Sequence, residues 1–146
     1  MRKTILLTAL LAALAAPAFA ADIGLVKVAK GTVHVQRGAE RLAVSVGMAV
    51  QQSDVIVTGK DGAAGITFAD ASLVSLGPDS TFAIDKYHFD STTHVGEFEG
   101  SLRHGKLAAV SGKMVKQTPE SMKIRTPSAI MGVRGTEFLV QVDDPS

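Results

Sequence analysis

The 146-residue chain contains no cysteine and no tryptophan, and its single tyrosine is Tyr87. Without cysteine there can be no disulfide, no thiolate metal site, no cysteine nucleophile, no redox pair and no lipid carried on a processed cysteine. Any fold must stand on its hydrophobic core, and a domain of this length can bury roughly two-thirds of its unfolded surface. So few large aromatics leave no evident platform for stacking a sugar ring. A dominant charge sign is also lacking. Fifteen Lys and Arg stand against 14 Asp and Glu, net +1, which is not the strongly basic face of a nucleic-acid-binding protein. Beyond residue 20 no apolar run approaches the roughly 20 residues of a bilayer span.

Catalytic signatures are missing as well. There is no G-x-S-x-G elbow and no phosphate-cradling G-x-x-x-x-G-K-[ST]. His34, His88, His94 and His104 fall at neither H-x-x-x-H nor H-x-H spacing. His88 and His94 flank Asp90 in a polar stretch, but a metal site needs a ligand cluster and these are scattered. Asp70, Asp79 and Asp85 match no calcium-loop spacing and read as turn caps, since Asp side chains bond local amides. The sequence therefore predicts no enzyme, no cofactor and no metal.

What is present begins with an export leader. Arg2 and Lys3 precede the apolar run Thr4 to Ala16, Pro17 breaks it, and Ala18-Phe19-Ala20 is a small-x-small cleavage site. That order predicts a signal-peptide helix over residues 1–20, cleaved on export to the periplasm; a retained membrane anchor is the alternative. Losing Arg2 and Lys3 leaves 13 bases against 14 acids. The processed protein is expected to have no stable membrane span and not to be a lipoprotein.

After the leader, short alternating runs rich in Val, Ile, Thr and Phe are separated by Gly, Asp, Ser and Pro. Thr32 to Gln36, Val55 to Thr58, Ala64 to Phe68, Ser72 to Leu76, Phe82 to Ile84, Met122 to Arg125 and Thr136 to Val142 are the clearest. Such runs, recurring roughly every 8 to 12 residues, predict an all-β domain. Gly59-Lys60-Asp61-Gly62 and Gly77-Pro78-Asp79 read as turns, the first of hairpin type. Little or no α-helix is expected; the best candidate, Gln117 to Met122, contains Pro119. Two architectures fit. Frequent Gly corners and weak internal similarity favour a short, stacked β-solenoid-like domain, a twisted β-helix, over a β-sandwich.

Charge is segregated along the chain. Six acids and one base lie between Asp70 and Glu99; six bases (Arg103, Lys106, Lys113, Lys116, Lys123, Arg125) and one acid, Glu120, follow. These blocks read as solvated loops, as layers that pair across the fold, or as a basic contact surface for an anionic glycan of the cell envelope.

The segment Thr126-Pro127-Ser128-Ala129-Ile130-Met131-Gly132-Val133-Arg134-Gly135-Thr136-Glu137-Phe138 resembles the closing signature of the FecR domain family, TP-x-A-x-x-GVRGT-x-F. Upstream, Asp54-Val55-Ile56-Val57-Thr58-Gly59 is similar to the family's D-x-I-x-TG, Phe68-Ala69-Asp70-Ala71-Ser72 to its F-x-DGS turn, and Leu76-Gly77-Pro78-Asp79-Ser80 to its L-x-P-x-S step. The resemblance covers residues 24–142. It departs at Ala71, where the family turn carries Gly. The familiar regulators of this type carry a sigma-factor-binding region and a membrane span ahead of the domain, where this chain has a signal peptide. The resemblance thus implies a stand-alone extracytoplasmic recognition module whose partner is another envelope protein, bound for instance through an open sheet edge. Within the signature, Pro127 holds Thr126 extended, Gly132 and Gly135 allow tight corners, and Thr136 opens the final run. Arg134, with its fixed fork of donors, is expected to clamp an internal acid, with Asp70 the candidate.

Overall fold

The computed structural model describes residues 21–143; the proposed signal-peptide helix and its cleavage site lie outside them. In chain order the elements are β1 (Asp22–Lys30), β2 (Val33–Arg37), β3 (Glu40–Ala43), β4 (Ala49–Gln51), β5 (Val55–Thr58), β6 (Ala63–Phe68), β7 (Leu73–Leu76), β8 (Thr81–Phe89), β9 (Gly96–Val110), α1 (Lys113–Gln117), β10 (Met122–Arg125), β11 (Ile130–Gly132) and β12 (Glu137–Val142). The all-β expectation holds, and the described residues contain no helix long and apolar enough to cross a membrane.

The strands form one curled sheet with two halves. The first half runs β4-β1-β6-β7-β9-β12 and the second β3-β2-β5-β8-β9-β10-β11, so β9 belongs to both. The chain passes repeatedly from one half to the other, as a coil would. Its ladders are nevertheless antiparallel, as in a sandwich, apart from the parallel register of β10 on β9. This combination explains why corner signals are so dense: most of them mark a crossing between halves. Gly59 to Gly62 is such a crossing, from β5 to β6, rather than a hairpin, because those two strands pair with other neighbours. Its turn is closed by the Gly62 N–H donating to the Gly59 carbonyl at 2.9 Å.

Period-two burial sets the core. In β6, Ala64, Ile66 and Phe68 point inward, and in β7 Val74 and Leu76 do so. They meet Ile56, Phe82, Ile84, Phe98, Leu102 and Ile124 from the second half in one cluster. Phe98 stands at its centre, with ring centroids 4.6 Å from Phe68 and 5.2 Å from Tyr87. Each such aromatic contact adds about 0.5–1.5 kcal/mol beyond the area buried. Helix α1 sits at Lys113–Gln117, just ahead of the segment Gln117 to Met122, and exists to seat Met114 and Val115 in this core. Five residues are too few to show a helical period, so no sequence pattern announces it.

Candidate functional site

The residues of the family-like segments serve the corners. Thr58 Oγ1 donates to the Gly77 carbonyl at 2.7 Å and accepts from the Ser80 N–H at 2.9 Å, so the TG and P-x-S steps are wired together. Asp70 is 1% exposed. Its carboxylate accepts from the Ser72 N–H at 3.2 Å, the Ser72 hydroxyl and the Tyr87 hydroxyl at 3.0 Å, while its own N–H donates to Tyr87 Oη at 3.1 Å. Ala71 between them has φ 68°, the left-handed region that a β-carbon disfavours. In the closing signature, the Ala129 N–H donates to Thr126 Oγ1 at 3.1 Å across the Pro127-Ser128 turn joining β10 to β11. Val133 is fully buried, Gly135 has φ 82°, and Ser111 donates through its hydroxyl to the Gly135 carbonyl and through its N–H to that of Thr136 at 2.8 Å. Gly132 is needed for closeness rather than conformation, since the Glu120 side chain lies against it.

Arg134 does not reach Asp70. It pairs with Glu120, Nε donating to Oε1 at 2.9 Å, with Arg134 73% and Glu120 49% exposed. Asp70 Oδ1 instead takes its hydrogen bonds from Ser72 and Tyr87. An arginine clamp on a buried acid is made elsewhere, by the half-buried Arg37 on Asp54. Sequence reasoning missed it because Arg37 ends β2 while Asp54 lies in the β4–β5 corner and no motif links them; the one signal was an acid opening the D-x-I-x-TG segment.

The six bases are not gathered on one surface. Lys106 lies on the outside of the first half, Lys113 and Lys116 on α1, and Lys123 and Arg125 on β10. The parallel register sets Lys123 beside Glu99, and Arg125 pairs with Glu99 at 3.7 Å. Lys86 pairs with Glu97 at 2.9 Å. The two charge blocks thus meet at Glu99, across β9 and β10, whereas the Lys86 pair lies within the acidic block. Arg103 is exposed on β9. Among the described residues no group of three His, Asp or Glu could hold a metal ion. Near His88 and His94, the Asp90 carboxylate caps the Thr92 and Thr93 N–H groups at 2.8 and 3.1 Å, which holds it below the usual carboxylate range.

The feature that internal packing does not explain is the outer face of the first half. Register places Leu25, Thr67, Leu73 and Val110 side by side in one row across β1, β6, β7 and β9. The next row is Val28, Gly65, Ser75, Ala108 and Leu139. The second row contains no charge, and the first meets one only at its β12 end, where Val110 pairs with Glu137. Leu25, Val28 and Leu73 are each 41% exposed and Leu139 is 82% exposed. Val28 lies across Gly65, where an added β-carbon would come within 3.2 Å of it. Glu137, Lys27 and Lys106 stand at the margins. Contiguous apolar surface rimmed by polar groups marks a contact site.

This face ends at an open edge. Among the described residues β12 pairs with β9 alone. The Ser111 N–H bonds the Thr136 carbonyl, so by antiparallel alternation the main-chain groups of Glu137, Leu139 and Gln141 point away from β9. The other edges are poorer docking sites: β3 carries Glu40 and Arg41, and β4 and β11 have three residues each. β12 has six residues and neither lysine nor proline to blunt it.

Searches of curated proteins and of solved structures return no match. The sequence profile described as FecR protein matches residues 54–146, from the acid of the Arg37 clamp through the Gly132-to-Thr136 crossing and β12, and the chain belongs to the FecR family.

Proposed function

We propose that this regulator-type FecR domain is an exported, non-catalytic recognition module that binds another protein of the cell envelope on the outer face of its first half. The observation that carries this reading is the pair of rows from Leu25 to Val110 and from Val28 to Leu139, which gather Leu25, Val28, Leu73 and Leu139 on one face, whereas the exposed Val46, Val95 and Ile130 stand singly elsewhere. A flat apolar area framed by Lys27, Lys106 and Glu137 suits a protein surface of matching shape, with the rim charges setting orientation. The export leader puts that partner in the periplasm or on a membrane facing it.

The test is in-cell crosslinking followed by affinity recovery, comparing the native protein with Leu25→Lys/Leu73→Lys and with Lys113→Glu/Lys116→Glu. Loss of the partner protein from the first variant and retention by the second supports the reading. Retained protein partners in the first variant, with loss of an anionic glycan in the second, would instead establish the basic block as the contact.

A further inference from the structure

We propose that the β12 edge pairs with itself: a second copy of this chain adds its β12 antiparallel across a two-fold axis at Leu139, joining the two outer faces into one continuous surface. The inference uses the same face as the functional reading above but requires no third protein.

The register follows from three observations. First, Glu137, Leu139 and Gln141 direct their main-chain groups to the open side, as the Ser111 to Thr136 bond fixes. An antiparallel copy satisfies these groups only by setting members of this set opposite one another. Second, opposed residues in an antiparallel ladder share a face, so an axis at Leu139 brings the two Leu139 side chains together on the apolar side and covers the most exposed large hydrophobic residue among those described. Third, charge selects this axis over the neighbouring one. An axis at Val140 would set Glu137 against the partner's Asp143, and directly opposed like charges are destabilising. With the axis at Leu139, Glu137 faces the partner's Gln141, and the next residue inward on that row is the partner's Lys106. The partner's Asp143, which its own Gln141 side chain bonds, then lies diagonal to Glu137 and not directly opposite it.

The absence of native cysteine permits a register-specific test. Sedimentation equilibrium of the purified protein is expected to give the mass of two chains. Leu139→Lys puts like charges at the axis, and Gln141→Pro removes a donor that β9 does not use. Both should sediment as single chains with an unchanged circular dichroism spectrum and a cooperative melt whose midpoint no longer rises with protein concentration. On oxidation Leu139→Cys should crosslink, since a hydrogen-bonded antiparallel pair holds its Cα atoms about 5.5 Å apart, within disulfide reach. Glu137→Cys should crosslink at least about tenfold more slowly, because its twin lies four residues along, about 14 Å away. A single-chain mass from micromolar to millimolar protein overturns the proposal. So does a dimer that survives in either folded variant, or a Glu137→Cys that crosslinks as fast as Leu139→Cys. These outcomes leave partner recovery through Leu25 and Leu73 unaffected, so the two readings fail separately.

Discussion

Arg37 and Asp54 form a two-pronged ion pair, with Nε donating to Oδ1 at 2.9 Å and Nη2 to Oδ2 at 2.8 Å, and Asp54 is 1% exposed. The same guanidinium reaches the Ala49 carbonyl at 3.2 Å, and the Gln51 N–H donates to Asp54 Oδ2 at 2.9 Å. One contact therefore ties the β2–β3 hairpin to the β4–β5 corner. The hydrogen bond to Asp54 raises the Arg37 pKa further. Removing the guanidinium leaves a buried carboxylate without its cation, which costs about 3–5 kcal/mol where both partners are buried. Arg37 is partly exposed, so Arg37→Ala should cost about 2–4 kcal/mol in urea unfolding. Arg37→Lys should lie between, because it keeps the charge and loses the fork.

Arg134 gives the opposite expectation. Its pair with Glu120 is solvent-exposed on both sides, and such pairs contribute about 0–1 kcal/mol. Arg134→Ala should therefore change the unfolding free energy by less than about 1 kcal/mol. A larger loss would mean that Arg134 holds the Gly132-to-Gly135 crossing through contacts other than Glu120.

At Ala71, where the family turn carries Gly, the backbone is strained. Its φ of 68° is left-handed and its side chain is exposed, so truncation loses no packing. An L-residue pays about 1–2 kcal/mol there, and glycine returns about 0.4–1 kcal/mol through the freer unfolded chain. Ala71→Gly should stabilise by about 0.5–1 kcal/mol. Gly112→Ala should do the reverse, because its β-carbon would lie 2.3 Å from the Asp70 carbonyl oxygen. Thermal unfolding of the two variants checks both signs.

The strands that the sequence displayed best are those whose two faces differ most. Met122 and Ile124 alternate with Lys123 and Arg125, and Phe138, Val140 and Val142 alternate with Glu137, Leu139 and Gln141, and each set turns the inner face to the core. Alternation cannot say which half of the sheet a strand joins. That depends on pairings with distant residues, such as Leu76 with Leu107, and so a hairpin was expected at Gly59 to Gly62. The outer face was hidden for a related reason. Gly65, Ser75 and Ala108 each look like ordinary solvent-side residues on their own strands, and only the register makes them one row. The edge at β12 is legible as a strand but not as an edge.

Tyr87 links the Asp70 turn to pH. Burial, and then the Asp70 carboxylate, hold the phenol well above its ordinary value of 10.0. A group whose folded pKa is raised contributes stability that is fully present below the unfolded pKa and is lost as pH rises toward the folded one. The native state binds the proton that the unfolded chain releases, so stability should fall with increasing pH above about 10. Because Tyr87 is the single tyrosine, phenolate absorbance should appear together with unfolding rather than before it. Tyr87→Phe should flatten the alkaline fall while costing about 1–3 kcal/mol at neutral pH, since it leaves Asp70 with a buried N–H unpaired and one donor fewer. Phenolate appearing in the folded protein near pH 10 would contradict this.

Gly105 lies where β9 leaves the second half for the first, between the pairs Thr81 with His104 and Leu76 with Leu107. Its φ is 97°, and an added β-carbon would meet Ser80 Oγ at 2.2 Å and Ser80 Cα at 2.5 Å. Ser80 cannot give way cheaply. Its hydroxyl accepts from the Lys106 N–H at 3.0 Å and donates to the Lys106 carbonyl at 3.2 Å, standing in for the ladder where β9 bends. Gly105→Ala therefore combines left-handed strain with an overpacked backbone contact, about 2–5 kcal/mol together. Gly38, at φ 61° with nothing within 4 Å of its β-carbon position, isolates the first of these terms. Gly38→Ala should cost about 0.5–1 kcal/mol, the left-handed strain less what the stiffer unfolded chain offsets. If urea unfolding gives equal losses for the two variants, the β9 bend is set by backbone conformation alone and not by the close approach of Ser80.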